Sequence, residues 1–97
     1  MDIWLIRKDI QHEEMDGKFS IGHTTVAVAA THEAAIKKMH EDADFYLTDT
    51  MFEGYSKSVD KDTDCMMKLN MPRRGGHGMR ITYNIYHRST DEGNLFV

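Results

Sequence analysis

Ninety-seven residues, 40 % of them hydrophobic, suffice for one domain with one core and leave no room for a second. A net charge of −4 argues against a protein that holds nucleic acid chiefly by neutralising phosphates. Cys65 is the only cysteine, so an intrachain disulfide is excluded and a reducing, cytoplasmic setting is the simpler expectation.

The chain opens on Ile3-Trp4-Leu5-Ile6, which predicts a strand over Asp2–Arg7, with Lys8–Glu14 extending it as a polar arm. Met1-Asp2 begins with an acid and the apolar run is short, so no secretory leader is read here; no segment is long enough to span a bilayer, and no membrane partner is expected. Asp16-Gly17 is the strongest hairpin signal, because a type I′ turn needs positive φ at both central positions. A second strand is predicted over Phe19–Ala30. Strict alternation would put Val26 and Val28 on one face and Phe19, Ile21 and Ala27 on the other.

Thr31 has the form of a helix N-cap, with Glu33 near the positive end of the dipole. Ile36, Met39, Ala43, Tyr46 and Leu47 recur at helical spacing and predict a helix over His32–Leu47; Glu41, Asp42 and Asp44 are assigned to its solvated side. Asp49–Ser58 gives no regular pattern, although Phe52 and Tyr55 call for burial. Asp60–Asp64 reads as a polar loop.

Two clean alternations follow. Cys65, Met67, Leu69 and Met71 define one strand's apolar face, and Met79, Ile81, Tyr83 and Ile85 define the next. The loop Pro72–Gly78 joins them as an antiparallel hairpin. Asp91–Asn94 is turn-like, and Leu95-Phe96-Val97 predicts a short terminal strand. The fold class is therefore α+β: a four- to five-stranded antiparallel sheet in the order β-β-α-(β)-β-β, with one helix on one face of a single domain. The other face would meet water through Arg, Asn, Thr and Tyr side chains.

Charge is segregated along the chain. Glu41–Asp64 holds eight acids against two lysines, whereas Cys65–Val97 holds five bases against two acids. The loop Pro72-Arg73-Arg74-Gly75-Gly76-His77-Gly78, followed by Met79-Arg80, offers two planar donor forks on a glycine-rich bend, suited to phosphate or carboxylate. It is not a P-loop, since the Lys-Ser/Thr spacing is missing and it links strand to strand. Six histidines invite a metal site, but His32 and His40 lie about 12 Å apart along a helix, and no short-spaced ligand pair exists, so neither metal nor other cofactor is expected. Cys65 is read as a small inert hydrophobe on a strand's apolar face. No nucleophile elbow or dinucleotide fingerprint is present, which favours a non-enzymatic module. Eight methionines suit adaptable contact surfaces, and Met66 must point away from the face that carries Leu69.

The passage Val26–Met39 (Val-Ala-Val-Ala-Ala-Thr-His-Glu-Ala-Ala-Ile-Lys-Lys-Met) resembles the strand–helix unit of small phage proteins, among them inhibitors of host RNA polymerase and anti-CRISPR proteins. It covers about a seventh of the chain and carries over no functional residue. The resemblance implies inhibition of a host enzyme or defence complex by surface contact.

The expected function is a binding or inhibitory module acting on a larger protein or nucleoprotein partner. The candidate contacts are Arg73, Arg74, His77, Arg80 and Met66, with Glu41, Asp42 and Asp44 as a second surface. A nucleic-acid or phosphate-ligand binder using the Pro72–Arg80 hairpin, with Tyr83 or Tyr86 as a stacking platform, is the second reading. A homodimer is compatible with either.

Overall fold

The computed structural model describes residues 1–14 and 16–89. Met15, the turn expected at Asp91–Asn94 and the strand expected at Leu95–Val97 lie outside the described residues. Five strands and one helix follow in the order β1 (Asp2–Glu13), β2 (Phe19–Ala29), α1 (His32–Thr48), β3 (Ser58–Asp62), β4 (Met66–Met71) and β5 (Met79–Ser89), with a 3₁₀ turn at Thr50–Phe52. The strands form one antiparallel sheet in the spatial order β2-β1-β5-β4-β3, and α1 packs on one face of it. The expected fold class is the observed one.

Three hairpins, β1–β2, β3–β4 and β4–β5, and one long-range pairing set this order. β1 and β2 join through Asp16-Gly17, but among the described residues of this turn Gly17 alone takes positive φ, +81°, and its N–H donates to the Glu14 carbonyl at 3.0 Å, so the expected type I′ turn with positive φ at both positions is not the one formed. β4 and β5 join through Pro72–Gly78, and β1 then pairs with β5 from Asp2↔Ser89 to His12↔Met79. The polar stretch after Arg7 is therefore no arm; it continues β1 between two neighbours.

Thr31 caps α1, its hydroxyl accepting from the Ala34 N–H at 3.1 Å. Ala35, Met39, Ala43 and Tyr46 turn to the sheet at helical spacing. They meet Ile6, Ala29, Met67, Leu69, Met71, Met79, Ile81 and Tyr83, which alternate along their strands. Burying a side chain such as Ile6, Met39 or Ile81 contributes roughly 1.5–3 kcal/mol, and all three are fully buried. Phe52 and Tyr55 close the edge of this core.

Three expectations are corrected. The supposed loop Asp60–Asp64 is mostly strand: β3 runs to Asp62, pairs with β4, and exposes all five residues. An edge strand with both sides wet needs no apolar alternation, so none signals it. In β2 a bulge opposite Ile6/Arg7 shifts the register, so Ala27 and Ala29 face α1 while Val28 joins Phe19 and Ile21 on the far side. Cys65 precedes β4 and is exposed rather than buried with Met67 and Leu69.

Candidate functional site

The sheet has a covered face and an open one. Cross-strand register places Arg7, Asp9, Gln11 and Glu13 of β1, Arg80, Thr82, Asn84, Tyr86 and Arg88 of β5, and Met66, Lys68 and Asn70 of β4 on the open side. Lys61, paired with Lys68, extends that face into β3.

Arg80 sits at its centre of chemistry. Its guanidinium lies over the Phe19 ring at 5.9 Å, an arrangement that fixes a planar donor fork without neutralising it. Two hollows share Arg80 and Asn70. One, of about 340 Å³, is lined also by Gln11, Asp60, Lys68, Leu69 and Thr82. The other, of about 100 Å³, adds Glu13, Phe19, Pro72, Gly78 and Met79. Amide, hydroxyl, guanidinium and ammonium groups converge there with two carboxylates, Asp60 in the first hollow and Glu13 in the second. Such a set can accept a carboxylate or phosphate through Arg80 and Lys68, while Gln11, Asn70 and Asp60 read donors beside it. Among the described residues neither Lys68 nor Arg80 meets a carboxylate in an ion pair.

The candidate residues divide between locations. Arg80 and Met66 share the open face, with Met66 beside Asn84, about 13 Å along the strands from Asn70. Arg74 and His77 stand exposed at the hairpin tip, where Gly75, Gly76 and His77 all take positive φ. Arg73 turns away from the tip: its backbone bridges Tyr55, and its guanidinium lies over the Tyr55 ring at 5.3 Å. Glu41 and Asp44 are exposed on α1, on the opposite side of the molecule.

Asp42 does not belong to a solvated acidic face. Its Oδ2 accepts from Lys8 Nζ at 3.0 Å and from the Tyr83 hydroxyl at 2.6 Å, and Lys8 also donates to the Tyr46 hydroxyl at 2.9 Å. This is a polar clamp joining α1 to β1 and β5. Burial, then the bond to Asp42 and the field of its charge, hold the Tyr83 hydroxyl far above the ordinary tyrosine range. Burial pulls the Lys8 ammonium down, but its bonds to Tyr46 and Asp42 outweigh that and leave it raised. Tyr83 is thus fully buried and unavailable as a stacking platform; Tyr86, exposed beside Arg88, is the tyrosine of the open face.

Four of the six histidines make side-chain contacts within the fold. His23 pairs with Asp9, His40 Nε2 lies 2.9 Å from Asp62, and His87 Nε2 lies 3.2 Å from Asp2. His32 reaches the Asp64 carbonyl, and Trp4 stacks between His32 and His87. Among the described residues no three His, Cys, Asp or Glu side chains gather as a metal-ligand set.

Gln11, Phe19 and Lys68 were missing from the sequence-derived candidates. Lys68 was legible, since it alternates with Met67 and Leu69. Gln11 and Phe19 were not, because the β1–β5 pairing sets Gln11 opposite Arg80 and Phe19 comes near it only through the further β1–β2 pairing. Compared with protein-family models, with curated proteins and with solved structures, the chain matches none. No described helix is long and apolar enough to cross a membrane.

Proposed function

We propose that the protein is a non-enzymatic binding module that acts by surface contact with a larger protein or nucleoprotein partner, through the open face of its sheet. The observation that carries this reading is Arg80, laid on Phe19 between two hollows that also hold Lys68, Asn70, Gln11 and Thr82. A desolvatable arginine backed by an aromatic ring, set on strands rather than on loops, is the kind of group that anchors an interface. The acids exposed on α1 face the other way, so the molecule presents a basic side to an acidic partner while its net charge stays negative.

The test is capture of a partner with the intact chain as bait, followed by calorimetry with variants. Arg80→Glu and Lys68→Glu should each weaken binding at least about tenfold, the effect of about 1.4 kcal/mol. Arg74→Glu at the tip should matter less. Equal affinity for wild type and Arg80→Glu would remove the reading.

A nucleic-acid partner is the second reading, favoured by the exposed Tyr86–Arg88 pair on the same face as Arg7, Lys68 and Arg80. Salt titration separates the two. Binding to single-stranded nucleic acid that falls steeply with salt supports this second reading, and indifference to nucleic acid removes it.

A further inference from the structure

The two edges of the sheet are built differently. β3 guards its edge: it is five residues long, three of them charged (Asp60, Lys61, Asp62), and a register shift breaks its pairing with β4. β2 has none of these devices along Phe19–Thr25. That segment, Phe-Ser-Ile-Gly-His-Thr-Thr, carries no Asp, Glu, Lys, Arg or Pro, all seven residues are exposed, and the β2 bulge lies beyond it. Among the described residues no strand lies outside β2, so its outward N–H and C=O groups face solvent. The helix covers β2 only from Val26 onward.

We propose that Phe19–Thr25 pairs antiparallel with the same segment of a second copy, about a two-fold axis through Gly22, joining two five-stranded sheets into one of ten strands. Several features select a second copy as the occupant. An antiparallel strand is its own partner under two-fold symmetry, and an uncharged segment meets its copy without repulsion. A copy also brings a free edge of equal length, and this register leaves each α1 at the outer end of the joint. Pairing β2 instead with β3 of a neighbour would set Asp60, Lys61 and Asp62 at the seam and build an open filament; the guarded β3 edge opposes that. The self-pairing sets Ile21 opposite His23 and Phe19 opposite Thr25 of the copy. It thereby covers Ile21, now 60 % exposed, through cross-strand contact. This surface is independent of the proposed Arg80 contacts, sharing only Phe19 with them.

Sedimentation equilibrium across a concentration series should give twice the chain mass, and hydrogen exchange should protect the amides of residues 19–25 in parallel with dimer formation. Ile21→Lys and Ser20→Lys, on opposite faces of the edge, should each yield a monomer with unchanged circular dichroism. Val59→Lys on β3 should remain dimeric. A monomer at every concentration overturns the proposal, and so does a dimer that survives both β2 lysines or is lost with Val59→Lys. Amides of β2 in the wild type that become protected only when a different protein is added would show that the edge takes another chain, which also overturns self-pairing.

Discussion

Replacing Asp42 with alanine leaves two groups behind. The Tyr83 hydroxyl, wholly buried, loses its acceptor at 2.6 Å. The Lys8 ammonium, its side chain 12 % exposed, loses its counter-charge at 3.0 Å and keeps only Tyr46. A stranded buried donor costs about 1–3 kcal/mol, and a hydrogen bond to a charged group contributes about 1.5–3 kcal/mol. Partial exposure of the pair lets water recover some of the second loss, so the expected destabilisation is about 3 kcal/mol. For a domain of this size that lowers Tm by roughly 12–24 °C. Tyr83→Phe removes the donor together with its need for a partner, and should cost only about 1 kcal/mol. Asp44→Ala, from an exposed position two residues on, should stay within about 0.5 kcal/mol of wild type. Urea unfolding followed by circular dichroism, with slopes unchanged across the series, measures all three. An Asp42→Ala protein as stable as Asp44→Ala would refute the clamp.

Three further outcomes follow from the same structure. Lys8 and Tyr83 both bind their protons more tightly in the folded state, so the stability they contribute is complete below the unfolded values of about 10 and declines as pH rises through the raised folded ones; alkaline unfolding should begin above about pH 10, and a curve for Lys8→Met with the same alkaline slope as wild type would contradict this. Gly75→Ala and Gly76→Ala, at φ +89° and +94°, should each cost about 1 kcal/mol in urea unfolding, whereas Gly22→Ala, with open space and ordinary φ, should cost nothing. Cys65 should react with a thiol reagent in the native state at a rate close to that in urea, and protection of the folded protein would contradict its exposed position.

Much of the fold was legible because local patterns agree with it. The Asp16-Gly17 turn, the Thr31 cap, the stripe Met39-Ala43-Tyr46 and the alternation Met67-Leu69-Met71 each report one element. What escaped was of two kinds. β3 meets water on both sides, and the bulge in β2 reverses the faces of every residue after it, so alternation either vanishes or misleads. The clamp, by contrast, was written in the spacing: Lys8 interrupts the inward run Ile6–Ile10, and Asp42 lies three residues from Met39 and four from Tyr46, on the buried stripe of α1. A lysine and an aspartate at two inward positions predict each other. The open-face site depends on β1 lying between β2 and β5, a pairing of residues some seventy apart that no local signal encodes.

The most direct measurement is methyl NMR of the labelled protein titrated with its captured partner. The methyls of Met66 and Thr82, on the open face, should shift or broaden while those of Ile36 and Leu47, on α1, stay in place. Shifts confined to the helix methyls would contradict it.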